Sequence, residues 1–152
     1  MRLLALDLGA KTGWAVYLPG LGVESGVQEF ALRRGESPGM RFLRFRRWLS
    51  RMIDENSPEA VGYELAHHRG GAATELAVGF QTRVQELAAA AGIPYTGVHT
   101  GTLKKFAAGH GQASKEKMIA AARKNWPDQK IVSDDQADAL CVLSWMLEEF
   151  EV

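Results

Sequence analysis

Four carboxylates stand where a soluble protein rarely leaves one. Asp7 closes the apolar run Leu3-Leu4-Ala5-Leu6, and Glu64 closes Ala60-Val61-Gly62-Tyr63. Asp135 and Asp138 stand three positions apart where an apolar C-terminal stretch begins. A carboxylate beside a core strand is costly unless it is paired, hydrogen-bonded or bound to a metal. Each acid alone has a bland reading: Asp7 or Glu64 as a strand-end residue, Asp135 and Asp138 as ordinary acids in a first helical turn. Together, with no Lys or Arg on the inward side of either strand or of the pair, they could supply an all-oxygen site for Mg²⁺ or Mn²⁺. Such a site suits phosphodiester hydrolysis, with two ions about 3.5–4 Å apart, one activating water and the other stabilising the departing 3′-oxygen.

The elements that must position these acids follow from hydrophobic period and turn residues. Residues 2–8 read as a central strand buried on both faces. Gly9-Ala10-Lys11-Thr12-Gly13 turns the chain into a second strand at 14–18, and a third spans 23–32. From 39 to 55 the period becomes helical, with Phe42, Phe45, Trp48, Leu49, Met52 and Ile53 on one face. A fourth strand covers 60–64, an alanine-rich helix 73–91, and a short fifth strand 93–98, peripheral because of Pro94. Helices follow at 101–108, 114–125 and 134–149, the last opened by a Ser133-Asp134-Asp135-Gln136 capping box. This order predicts an α/β fold: a mixed five-stranded sheet, its first three strands antiparallel, with helices on both faces. Strands one and four become central neighbours, so Asp7 and Glu64 meet at their C-terminal ends.

The chain of 152 residues fits one domain, 1–152, with 46% apolar and 24% charged residues. The N-terminus meets Asp7 too early for a signal peptide, and no apolar run approaches membrane-spanning length, so the expected location is a reducing cytoplasm. The lone Cys141 excludes an internal disulfide or a cysteine zinc site and reads as core filler. Formal net charge is zero, so any nucleic-acid surface must arise from local clustering. One cluster is Lys104, Lys105, His110, Lys115 and Lys117 around Gly109-His110-Gly111, suited to phosphate contact without base readout. Another is the stripe Arg44, Arg47 and Arg51; a third is the loop His67-His68-Arg69.

The ordered set Leu4-Ala5-Leu6-Asp7-Leu8-Gly9 with Thr12-Gly13-Trp14, Tyr63-Glu64, Leu103-Lys104 leading to Lys115, and Asp135-Gln136-Ala137-Asp138 resembles the RuvC-type Holliday junction resolvases of the RNase H-like superfamily. The resemblance implies that Asp7, Glu64, Asp135 and Asp138 bind the metals and that Lys104 and Lys115 approach the scissile phosphate. It also implies a homodimer that nicks four-way DNA symmetrically. In this setting the small-residue side of helix 73–91, with Phe80 and its neighbours, is the expected dimer contact. Leu8 stands where many relatives have proline. The loop after Glu64 offers His67, His68 and Arg69 where relatives place an aromatic side chain at the junction core, a departure that bears on junction specificity rather than nuclease chemistry.

Three other readings compete. A nuclease of the same superfamily could act on flaps, other branched DNA or RNA. Asp7 through Gly13 also resembles the phosphate turn of actin-like ATPases, but those need two such domains and this chain has one copy and no GxxxxGK[ST] loop. A catalytically dead DNA-binding adaptor would have no need of all four acids.

Overall fold

A computed structural model describes residues 1–67 and 70–152. In chain order the elements are β1 (Leu3–Asp7), β2 (Lys11–Leu18), β3 (Gly22–Glu29), α1 (Gly39–Asn56), β4 (Ala60–Glu64), α2 (Ala72–Ala90), β5 (Tyr95–Val98), α3 (Thr100–Ala108), α4 (Lys115–Asn125) and α5 (Asp134–Glu149). The five strands lie in the order β3-β2-β1-β4-β5. β1 pairs antiparallel with β2, and β2 with β3, whereas β4 runs parallel to both β1 and β5. The mixed sheet with its antiparallel first three strands is the architecture the sequence predicts. Among the described residues no helix is long and apolar enough to cross a membrane.

Three strand boundaries differ from those expected, β5 starting at Tyr95 rather than 93. β2 begins at Lys11, so Gly13 is not a turn residue but lies in the strand, opposite Asp7. The turn is confined to Leu8–Ala10 and closed by the buried Thr12, whose hydroxyl donates to the Gly9 carbonyl at 2.7 Å. β3 stops at Glu29 rather than 32, after which the buried Phe30 enters the core.

Alternation along the strands decides which face each residue serves. Leu4, Leu6, Val61 and Tyr63 pack against α1 and α2, while Leu3, Ala5 and Ala60 pack against α3, α4 and α5. Continuing the same alternation turns Asp7 and Glu64 toward the α5 face, side by side on adjacent strands.

The α1–α2 layer is an aromatic core. Phe45 and Phe80 stack at 4.1 Å, and Phe30 meets both edge-on. Phe80 is fully buried here, which corrects its expected place at a dimer contact: its ring completes the protomer's own core. Gly79, too, faces inward, because a Cβ there would lie 2.1 Å from the Phe42 ring of α1. Cys141 is buried as expected, and burial pushes its thiol up to about 12.

On the opposite face α5 lies unusually close to the sheet. A Cβ on Gly13 would sit 1.8 Å from the Asp135 carbonyl oxygen, and one on Gly62 would sit 2.5 Å from Met146 Sδ. The small side chains Ala5, Ala15 and Ala60 line the strip between them. The start of α5 is fixed as well: Ser133 Oγ accepts from Gln136 N at 3.1 Å. The Gln136 half of the expected capping box differs. Its Oε1 accepts from Val132 N at 2.9 Å, because its amide is drawn across to Ser25 on β3 and to the Lys130 carbonyl.

The close approach at Gly13 can be tested. Gly13→Ala should destabilise by at least about 1–3 kcal/mol, since the obstacle is backbone and cannot rotate away. Gly9→Ala, whose added Cβ would meet nothing nearer than 3.7 Å, serves as the control and should leave the melting temperature nearly unchanged. Equal melting curves for the two variants would show that the α5 contact is not tight.

Candidate active site

Asp7 and Glu64 arrive from the C-terminal ends of the parallel neighbours β1 and β4, and Asp138 descends from the first turns of α5. One carboxylate oxygen from each of the three lies within 4.8 Å of the others, and all three residues are half-buried. Asp135 is outside that trio but adjoins it: its carboxylate and that of Asp7 lie close enough to share a proton, a contact that raises Asp7 and works to lower Asp135. Asp7 is therefore the member shared by both sides of the cluster.

The electrostatics record the strain. Desolvation first, then the charges of Asp138, Glu64 and Asp135, hold the Asp7 carboxyl well above the ordinary carboxylate range. Asp138 is raised to about 7, chiefly by desolvation and then by Glu64, with Lys104 opposing. Asp135 is raised mainly by desolvation, against the hydrogen bond from Asp7 and the cations Lys11 and Lys115. Lys11 is a cation that the sequence reading did not place near the site; it comes close because β2 starts earlier than expected. Among the described residues the ion pairs within 4.0 Å are Arg44–Glu36 and Lys115–Asp134, so none involves the four acids. Crowded oxygen donors without a salt-bridge partner fit a hard divalent cation.

An open cleft of about 280 Å³ lies beside two of the acids, lined by Glu64, His67, Thr100, Lys104, Lys115, Met118 and Asp138. Lys104 is half-buried in its wall. Lys115 opens α4, whose N-cap Ser114 accepts from Lys117 N, and its ammonium lies 3.4 Å from Asp134 while its side chain is 80% exposed. His67 also reaches the cleft. His68 and Arg69 lie outside the described residues. Lys105 and Lys117 are exposed and stand outside the cleft lining.

The arginines of α1 are not gathered with these groups. Arg44 is engaged by Glu36 through two nitrogens, and also donates to the Ala31 carbonyl at 3.3 Å. Arg47 and Arg51 border a shallow depression with Gln28, Glu29 and Phe30 on the α1 side of the sheet.

Besides Lys11, Thr100 is a site residue that the sequence reading did not place there. Thr100 Oγ1 donates to Glu64 Oε1 at 2.6 Å and lies 2.6 Å from His67 Nε2. A signal existed: Thr100 precedes Lys104 by one helical turn, so the two share a face of α3.

No protein-family model matches this sequence, and no curated protein matches it. Solved structures do match in fold. The chain has the RNase H-like architecture, with its acids at the C-terminal ends of the two central parallel strands. Within that architecture it is similar to RuvC from Thermus thermophilus. One T. thermophilus RuvC structure superposes with a TM-score of 0.76 over 99% of this chain and 97% of that one, at 21% identity. T. thermophilus RuvC in complex with a Holliday junction substrate gives 0.77 over 93% and 90%, at 22% identity. The yeast mitochondrial Holliday junction resolvase Ydc2 gives 0.65 over 95% of this chain and 77% of that one, at 16% identity.

The raised carboxyls have a consequence for stability. Raised values mean that folded Asp7 and Asp138 hold their protons to higher pH than the unfolded chain does, where the ordinary value is near 3.8. Metal-free stability should therefore fall as pH rises from about 4 through about 7. Thermal unfolding in EDTA should give a higher melting temperature at the acid end. Asp138→Asn should flatten that slope, and Mg²⁺ should raise the melting temperature most at the alkaline end. A pH-independent melting temperature in EDTA would mean the acids are not crowded.

Proposed function

We propose that this protein is a divalent-metal-dependent endonuclease, its nuclease unit spanning residues 1–152, that cuts branched DNA, chiefly four-way junctions, by paired symmetric nicks as a homodimer. The observation that carries this reading is the convergence of Asp7, Glu64 and Asp138 within 4.8 Å, with Glu64 and Asp138 sharing one cleft with Lys104 and Lys115. The substrate class is supported by the shared fold, since one matched structure is a RuvC bound to a Holliday junction.

In this reading Asp7, Glu64, Asp135 and Asp138 hold two Mg²⁺ or Mn²⁺ ions per site. When bound, such ions would lower the pKa of an attacking water and stabilise charge on the leaving 3′-oxygen. The protein's own groups do the rest. Asp7, at the end of β1 and desolvated, orients the cluster from behind Glu64 and Asp138, where its electrostatic interactions are strengthened. Lys115 leaves its exposed contact with Asp134, worth little in water, for the scissile phosphate. Lys104, beside Asp138 in the cleft wall, neutralises the same phosphate group. Lys105 and Lys117 extend the cationic surface along the DNA backbone, with His67, His68 and Arg69 toward the branch point. Arg44 joins only by giving up Glu36, and Arg47 only if a DNA arm reaches the α1 side.

Paired nicks need two sites related by a two-fold axis. With Phe80 committed to the core, we assign the dimer contact to the outward small residues of α2, among them the exposed Ala73 and the half-buried Ala77. Light scattering should report a dimer at micromolar concentration; a monomer that still nicks junctions symmetrically would remove this part.

A substrate panel separates the reading from its rivals. A four-way junction should be cut faster than a flap, an RNA–DNA hybrid or a linear duplex, with Mg²⁺ or Mn²⁺ and not in EDTA; Ca²⁺ should support binding with little cleavage. A preference for the flap or the hybrid would move the protein to another branch of the same superfamily. Asp7→Asn should lower cleavage by at least about a hundredfold. Its junction affinity should be kept or raised, since one repelling charge is gone. Lys115→Ala should weaken binding and reduce the slope of log affinity against log salt by about one phosphate contact. A folded Asp7→Asn protein cutting at the normal rate would refute the catalytic assignment.

A further inference from the structure

Thr100 has one hydroxyl hydrogen and two close neighbours. That hydrogen goes to Glu64 Oε1 at 2.6 Å, since a carboxylate only accepts. The contact to His67 Nε2, also 2.6 Å, must then be filled by a hydrogen on the ring nitrogen. The result is a directed chain from His67 Nε2–H to Thr100 Oγ1–H to Glu64. It crosses three elements: the loop after β4, the first residue of α3 and the end of β4. Just before His67, Leu65 N donates to the Val98 carbonyl and Ala66 N to Gln81 Oε1, so the chain continues an anchored backbone.

The structure assigns Thr100 the role of a positioning residue that aims the Glu64 carboxylate for a divalent ion and ties that aim to the placement of the loop carrying His67. This rests on the metal-site reading above and extends it to a residue that is not one of the carboxylate ligands. Two consequences follow from the geometry. Glu64 loses rotational freedom before an ion arrives, so less ordering entropy opposes binding. Partners of this kind around a ligating group commonly set about 10–100-fold of metal affinity. The loop also shares a hydrogen-bond chain with a ligand, so a DNA strand that displaces His67 would loosen Glu64, and a bound ion would steady the loop.

The test measures Mn²⁺ binding to the full, DNA-free protein by isothermal titration or electron paramagnetic resonance, which needs no turnover. Thr100→Val keeps the side-chain shape but removes the hydroxyl, and should weaken Mn²⁺ by about tenfold. Thr100→Ser restores the hydroxyl and should return affinity to within about twofold of wild type; a merely structural methyl contact would give the opposite order. His67→Ala, at an exposed position where folding is not at stake, should weaken Mn²⁺ by about threefold, and it carries the test should Thr100→Val fail to fold. Glu64→Gln sets the scale for losing the ligand itself. Wild-type affinity in Thr100→Val, or in His67→Ala, or failure of Thr100→Ser to rescue, would overturn the positioning role while leaving the metal site standing. Absence of Mn²⁺ binding by the wild-type protein would overturn both.

Discussion

Mutual repulsion among desolvated carboxylates is the constraint that the rest of the structure serves. Asp7, Glu64 and Asp138 are pressed within 4.8 Å of one another, and Asp135 leans on Asp7. Left to itself such a cluster would open. It is held because each acid sits on an element anchored elsewhere: β1 and β4 by the parallel ladder at the sheet centre, α5 by its Ser133 cap and by contacts at Gly13 and Gly62 that admit no side chain. The small residues on that face let a short aspartate reach the strand ends. Raised carboxyl groups are the price of the arrangement, and a hard cation is the chemistry that relieves it.

The two faces of the sheet divide the labour. On one, interlocked aromatic rings between α1 and α2 make a dense layer that keeps the sheet from yielding to the charge on its far side. On the other, α3 and α4 carry Lys104 and Lys115 to the cleft wall, close enough to temper Asp138 and Asp135 but not to form ion pairs with them. That spacing leaves room for an anion between lysines and acids, which a direct salt bridge would have closed.

Much of this was legible in the sequence because it is local or periodic. The apolar runs ending in Asp7 and Glu64, the change of period at 39, and Pro94 before a short strand gave the sheet and its layers. The acids could be grouped because topology puts the ends of neighbouring parallel strands together. What could not be read depends on tertiary contact. Gly13 looks like a turn residue until α5 is seen against it, and Phe80 looks available to a partner until the rings of Phe30 and Phe45 close over it. The Thr100–Glu64 link spans 36 positions: helical spacing puts Thr100 on the face of Lys104, but nothing in the sequence gives its contact with Glu64. Arg44 reads as one of a DNA-facing stripe, yet its guanidinium is claimed by Glu36 from the preceding loop.

Anomalous diffraction from crystals grown with Mn²⁺ is the most direct measurement of whether the acids form a metal centre. A peak in contact with Asp7 and with at least one of Glu64 and Asp138 is the expected result, with a second peak sharing Asp7 on the Asp135 side. Density showing the four carboxylates intact and within hydrogen-bond distance of one another, with no anomalous peak at saturating Mn²⁺ and neutral pH, would contradict a metal role for the cluster.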